Sequence, residues 1–478
     1  MPRSPLTVFL ALALGVASLS SLQSLVIPVL PEMQRELGTT AAGINWTLTA
    51  WLIAAAVATP LIGRVGDLLG RRSTLLVVAG VVAIGDLVAF AAPDLSVLLV
   101  GRVLQGVGAA LFPLAFGVLR ETFPRERVAS AIGAMSAVIA IGSGLGTVIA
   151  GPLATALGWR GLFLLPFALV VTSGILSFIV IPRSTQREHG RINVPAGVLL
   201  SAWLVALLLP LSNGAVWGWT SPLVLGLFGL AVVLIVAWVA VELRSVEPLV
   251  DLRLMRAPAI WSTNLASFLL GGAMFAVFAF FARFVQTPSS TGYGLGATVA
   301  QSGLLMLPML ITMAVAGFVS GPLGSRIGFR AQFGGGAALL GLASVGLGLL
   351  HSAAWQVAVE AGLFGLGLGI AYAAMTSLIV QSVPTTQTGI ATGVNANLRT
   401  IGGAIVSSVV TVIVFAHVDA TGLPFEAGYT AAFLTAAALA GVSALIALLV
   451  RQARRRGAVD RDVAVLTAPL TLESEAAA

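Results

Sequence analysis

The chain has 478 residues, of which 58% are hydrophobic and only 9% charged, where soluble globular proteins carry about 25% charged residues. A water-soluble fold is therefore excluded. It contains no cysteine, and all 25 of its basic residues are arginine, which removes disulfides, thiol catalysis, thiolate metal sites, the phosphate-binding lysine of a Walker A loop and Schiff-base chemistry.

Apolar runs of about 20 residues follow one another from end to end, each long enough to cross about 30 Å of hydrocarbon as a helix. The period-2 alternation of an outer-membrane barrel is missing. Bounding the runs by charges and turn residues predicts helices over 6–30, 44–63, 73–92, 96–118, 129–152, 160–181, 195–212, 222–242, 258–283, 298–322, 332–350, 354–378, 392–416 and 428–450. The first run has neither a strongly basic start nor a small-residue cleavage site and is read as a retained helix. The stretch 451–478 is charged, Ala-rich and without apolar period, and reads as a disordered cytoplasmic tail.

Fourteen spans put both termini on one side. With the N-terminus cytoplasmic, the inner segments hold Arg3, Arg64, Arg71, Arg72, Arg120, Arg125, Arg127, Arg183, Arg187, Arg191, Arg244, Arg253, Arg256, Arg326, Arg330, Arg451, Arg454, Arg455, Arg456 and Arg461. The outer loops hold only Arg35, Arg160 and Arg283. The net charge of +7 is thus a topology signal that meets the positive-inside rule, and nucleic acid is not needed to explain it.

The chain repeats itself. GRVGDLLGRR at 63–72, between helices 2 and 3, recurs in outline as GPLGSRIGFR at 321–330, between helices 10 and 11. A weaker echo pairs 133–144 with 393–404. Two similar halves, 1–182 and 257–450, then flank a linker with two inserted helices at 183–256. Internal repeats of this kind place a site at the interface between halves.

Ionisable residues inside spans are costly, about 2.5–3.5 kcal/mol each on insertion scales, and are functional candidates by default. They are Asp86, Arg102, Glu360 and Arg399. With Asp94 as the turn of the helix 3–helix 4 hairpin, Asp86 and Arg102 each lie eight residues from it, about 12 Å deep at 1.5 Å per residue. At one depth they form either a protonatable carboxylate tuned by an arginine or a permanent ion pair that makes insertion tolerable. Gln105, one turn on, either shares a cavity wall or joins helices. Glu360 lies about two turns into helix 12, a candidate for a proton or a cationic ligand, and Arg399, with Asn395 a turn before it, is a candidate for the inner cavity. Gly142 and Gly146, Gly365 and Gly369, and Gly389 and Gly393 repeat at four-residue spacing within apolar helices, which indicates close packing and not nucleotide binding. His351 and His417 are assigned no role, and no cofactor or metal is expected.

The segment Gly63-Arg-Val-Gly-Asp67-Leu-Leu-Gly70-Arg71-Arg72 resembles the signature loop of the major facilitator superfamily and stands where that family has it. Arg102-Val-Leu-Gln105-Gly106-Val-Gly108 is similar to the family's helix-4 motif, and Gly158-Trp159-Arg160-Gly-Leu-Phe163 to the start of its helix 6. With two inserted helices, the chain to about residue 450 resembles the fourteen-helix drug:proton antiporter branch. Two departures stand out. The helix-1 acid expected about nine residues before Pro31 is replaced by Leu22 beside Gln23, and the Gly-Pro expected in helix 5 is Gly146-Thr147.

The resemblance implies an all-α polytopic transporter, not an enzyme. Such a protein is a monomer of the inner (cytoplasmic) membrane that exchanges protons for lipophilic drugs or toxic metabolites, cationic ones included, by alternating access. A proton-coupled importer, a lipid exporter and a non-transporting receptor on the same fold stay open. Asp86, Arg102 and Glu360 are the proton-coupling candidates. Gly63, Asp67, Gly70, Arg71 and Arg72 form a gating loop in which Asp67 caps the following helix or binds an arginine of the other half. The cavity candidates are Gln23, Trp51, Gln105, Asn264, Tyr372, Asn395 and Arg399. In the second copy of the loop Ser325 replaces Asp67, so the two gates should differ.

Overall fold

The computed structural model describes residues 4–182, 193–245, 248–250, 252–384, 387–418 and 423–449. The basic linker around 183–191, with its three arginines, Arg3 and the tail from 451 lie outside the described residues. Among those described, fourteen long helices run in order: α1 (Pro5–Val26), α2 (Ala41–Leu69), α3 (Arg71–Phe90), α4 (Leu95–Val107, carried through a 3-10 turn into Leu111–Thr122), α5 (Arg125–Gly161), α6 (Leu164–Val180), α7 (Val194–Trp217), α8 (Pro222–Arg244), α9 (Pro258–Gln286), α10 (Val299–Ile327), α11 (Phe329–Leu349), α12 (Ala354–Ser382), α13 (Thr388–Val414) and α14 (Glu426–Leu449). Thirteen are each long and apolar enough to cross a bilayer, and α6 with the end of α5 completes a fourteenth span across an 80° bend. The fold is that of an all-α polytopic membrane protein.

Boundaries differ from the sequence reading where a helix runs on past a charged residue. α2 does not stop at residue 63 but runs on to Leu69, so Arg64 and Asp67 are helical, and the break falls on Gly70 alone (φ 105°). Its counterpart, Gly328 (φ 84°), breaks α10 from α11 at the equivalent place. Both positions take a backbone that β-carbon-bearing residues rarely adopt. The final arginines of the two loops also do one job. Arg72 donates to the Phe178 carbonyl at the end of α6 (2.5 Å), and Arg330 to the Ala447 and Leu448 carbonyls at the end of α14 (3.2 and 2.8 Å). A cation at the carbonyl end of a helix satisfies orphan acceptors and complements its dipole.

One apolar core joins α1 to α6 and a second joins α9 to α14. A third, from α2, α7 and α13, fills the seam between halves, and α8 packs mainly on α7 with most of its surface exposed. In lipid, apolar side chains gain little by touching one another, so small residues that let backbones approach decide the packing. A Cβ on Gly146 would meet the Ser21 carbonyl of α1 at 2.7 Å, one on Gly369 the Met313 carbonyl of α10 at 2.5 Å, and one on Gly393 the Thr59 carbonyl of α2 at 3.1 Å. These glycine pairs are helix-packing positions.

Candidate functional site

The halves meet along α2 with α13 and along α5 with α10. Contact is closest at the end of the bundle that carries the signature loop. There the backbones of Gly63 and Gly389 are in such close approach that a Cβ on Gly63 would lie 2.8 Å from the Gly389 carbonyl oxygen. Asp67, buried at 2% exposure, accepts from Arg71 Nη2 (2.7 Å) and Nε (3.2 Å) and from the backbone N–H groups of Ile390 (3.1 Å) and Gly389 (3.3 Å). Its partner across the interface is thus not an arginine of the other half, nor does it cap α3. It caps the start of α13, whose first N–H groups lack helical acceptors and carry the positive end of the dipole.

Arg71 is buried with it and also reaches Glu121 of α4 (2.5 Å) and the Gly117 carbonyl (3.3 Å). Arg120, one residue before Glu121, grips the other half from the opposite sign: it donates to the carbonyls of Val383 (2.9 Å) and Pro384 (3.3 Å) at the end of α12 and to Thr388 Oγ1 (2.7 Å). An anion therefore holds the N-terminus of α13 and a cation the C-terminus of α12. The second copy of the loop builds no such clasp, because Ser325 is exposed and donates only to the Pro322 carbonyl (2.7 Å).

Beyond this closed end, a cavity of about 460 Å³ opens between the halves. Of the predicted lining residues, Gln23, Trp51, Tyr372, Asn395 and Arg399 line it. Asn264 stands behind the wall and accepts from Asn395 Nδ2 (2.8 Å), which also donates to Ser267 Oγ (2.8 Å). Phe112, Phe116, Phe275 and Phe278 supply aromatic surface. Arg399 lies with its guanidinium 4.4 Å above the Tyr372 ring and donates to the Tyr372 hydroxyl at 2.9 Å. The expectation of a cationic ligand finds no carboxylate in this wall among the described residues. A second hollow of about 760 Å³, between α2, α7 and α8, is apolar apart from Ser201.

Asp86 and Arg102 lie at matched depth but are not within 4.0 Å of each other. Gln105 joins them: its Nε2 donates to Asp86 Oδ1 (2.9 Å), and Arg102 Nη1 donates to its Oε1 (2.8 Å). Arg102 Nε reaches the Thr47 carbonyl of α2 (2.9 Å). All three side chains are fully buried, and Asp86 Oδ2 and Arg102 Nη2 have no hydrogen-bond partner. The cluster is walled off from the cavity, so Gln105 is a linker between helices and not a lining residue. Glu360 is placed differently again. Its carboxyl rests against Gly346 of α11, away from the cavity, because the face that α12 turns to α10 is occupied by Gly365 and Gly369.

Three contributors had no signal of their own. Arg120 read only as a topology arginine, Asn397, which donates to the Ala56 carbonyl of α2 (2.6 Å), looked like any polar residue, and Glu242 had passed for the end of α8. Glu242 is buried and accepts from the N–H groups of Leu249 (2.9 Å) and Val250 (3.1 Å). At the opposite end of the first half, Glu36 accepts from Trp159 Nε1 and Arg160 Nη1, both at 2.8 Å, and Arg160 also holds the Ala92 carbonyl after α3. The Trp159 indole keeps the Glu36 carboxyl below its ordinary value, opposed by burial and helped by Arg160 and Arg35.

Comparison with known proteins places this architecture. The chain is 28% identical to the Tetracenomycin C resistance and export protein of Streptomyces glaucescens over 428 residues, covering 87% of this chain and 77% of that protein. It is 29% identical to the Methylenomycin A resistance protein of Streptomyces coelicolor over 435 residues, covering 89% and 88%. With the Multidrug transporter protein MdtP of Bacillus subtilis it shares 28% over 395 residues, covering 80% and 70%. The crystal structure of the human organic anion transporter MFSD10 superposes with a TM-score of 0.66 at 17% identity, over 93% of this chain and 99% of that one. The proton:xylose symporter XylE does so with 0.65 at 12%, over 92% and 94%. The family model described as Major Facilitator Superfamily matches residues 12–407, and the chain belongs to that superfamily.

Proposed function

We propose that this transporter is a proton-coupled exporter of lipophilic small molecules that works by alternating access. The arginine-rich end, with the Asp67 and Arg120 clasp, faces the cytoplasm, and the cavity opens to the outside. The observation that carries the reading is the asymmetry of the interface, with charged and helix-end contacts closing one end of a cavity walled by apolar and aromatic side chains. An interface closed at one end and open at the other is one of the two states that alternating access requires. The export direction is supported by the relatives named for resistance and export.

Coupling is assigned to Asp86, Gln105 and Arg102. The unpartnered Asp86 Oδ2 is the place for a proton, and neutralising that carboxylate leaves Arg102 without its counter-charge. Arg102 is tied to Thr47 of α2, and Asp67 sits at the far end of the same helix. A proton at Asp86 therefore biases α2, and α2 carries the clasp. Glu360 has no part in this scheme, since it touches neither the cavity nor α2.

Proteoliposomes test the proposal. An outward-directed drug flux should require an opposing proton gradient and collapse with an uncoupler, and Asp86→Asn should abolish gradient-driven transport while sparing downhill exchange. Full uphill transport in Asp86→Asn would remove this coupling site. Uptake that is unaffected by the uncoupler would remove proton coupling altogether.

A further inference from the structure

The wall of the interface cavity holds one charged side chain among the described residues, and it is a cation. Arg399 sits 11 residues into α13, half-buried, with no carboxylate of the described residues within 4.0 Å. Its contacts in the protein are neutral: a hydrogen bond to the Tyr372 hydroxyl (2.9 Å) and the face of that ring (4.4 Å). A guanidinium has five N–H donors, so most of its capacity is unspent. The amide donors nearby are already committed, those of Asn395 to Asn264 and Ser267, and that of Asn397 to Ala56. Trp51 also contributes to the wall, but its indole N–H is buried and does not face the cavity. Among the described residues, the one full charge in the cavity wall is thus a donor with N–H groups to spare, and no carboxylate lines the wall beside it.

We infer that the transported ligand is a lipophilic organic anion, with a carboxylate or comparably acidic oxygen held by Arg399 and an aromatic or apolar body against the phenylalanines. This rests on the reading of the cavity as the transport site and deepens it. In a partly desolvated site an anion gains a charge-assisted, bidentate partner, whereas a cation meets a like charge with nothing to offset it. Arg399 then sets the sign of the substrate's charge, and Tyr372 orients the guanidinium by its hydroxyl and its ring.

The test uses three probes that share one ring and one chain: 4-(1-pyrenyl)butyrate, its methyl ester and 4-(1-pyrenyl)butylammonium. Binding to the full-length protein in nanodiscs of neutral lipid is followed by energy transfer from tryptophan to pyrene. The butyrate should bind about tenfold or more tighter than the ammonium probe. Arg399→Gln should erase most of that preference and change the ester's affinity by less than about threefold. Arg399→Lys should keep part of the preference, and Tyr372→Phe should weaken the anion while keeping the ring. Competition by added phosphatidylglycerol would assign the same anion chemistry to a lipid headgroup, and its failure to compete assigns it to a soluble anion. Equal binding of butyrate and ammonium by the unaltered protein, or an unchanged ratio in Arg399→Gln, would overturn the inference. Gradient-driven transport of any of the probes in proteoliposomes reports separately on the transporter reading. Transport without charge preference sinks only the anion assignment, and anion binding without transport of any probe sinks only the transport role.

Discussion

Replacing Asp67 by asparagine keeps the size of the side chain and removes its charge. In the closed clasp the carboxylate accepts four N–H groups, two from Arg71 and two from the start of α13. The two that cross the interface are charge-assisted, about 1.5–3 kcal/mol each, and an amide retains at most one neutral bond of about 1 kcal/mol. Arg71 keeps Glu121, so the arginine is not stranded. The closed state should therefore lose about 2–5 kcal/mol relative to the open one, which is about 30- to 5000-fold in the equilibrium. A 99:1 preference would fall to between about 3:1 and 1:50. Because the chain has no cysteine, a spin-label pair at Leu69→Cys and Gln381→Cys, both exposed near the clasp, needs no background substitutions. The unaltered clasp should give one short distance, and Asp67→Asn a second, longer population together with slowed transport and unchanged expression. Identical distance distributions and normal turnover in the variant would refute the clasp.

Further expectations follow from the same contacts. Asp86→Asn and Arg102→Gln should each lower thermal stability by about 3–5 kcal/mol, and the double variant by less than their sum, because each single change strands a buried partner. A double-mutant cycle in detergent should give a coupling of at least about 0.5 kcal/mol, and Gln105→Leu, which cuts the bridge, should remove most of it, whereas additive effects would deny the link. Gly63→Ala puts a methyl group 2.8 Å from the Gly389 carbonyl oxygen and should cut transport about tenfold or more, while Gly151→Ala, with open space around it, should be silent. For Glu36 the folded carboxyl lies below its ordinary value of 4.5. A lowered value stabilises above the unfolded pKa and is lost as pH falls through the folded one. The melting difference between the unaltered protein and Glu36→Gln should be full at neutral pH, small for a half-exposed pair at about 1 kcal/mol or less, and should shrink as pH falls below 4.5 through the lowered value of the folded carboxyl. A difference that grows in acid would contradict it.

The number and type of helices were legible in the sequence because the bilayer imposes length and polarity on each segment separately, and a run of about 20 apolar residues answers both demands without any neighbour. The matched depth of Asp86 and Arg102 was legible for a similar reason, since helix rise converts position along a hairpin into depth. The repeat at 63–72 and 321–330 likewise pointed to Asp67 and to its lack of a counterpart at Ser325. What the sequence left open was rotation and partnership. Depth says nothing about which face a residue occupies, so Glu360 and Arg399 both stand as site candidates in the sequence, yet packing turns Glu360 toward Gly346 of α11 and Arg399 into the cavity. Asp67 binds backbone N–H groups 322 and 323 residues away, and backbone donors leave no residue signature to search for. Arg120 is one of many arginines on the basic side until α12 ends beside it. The sign of charge in the cavity was decided only when the two halves closed on each other, because a site at an interface belongs to neither segment that forms it.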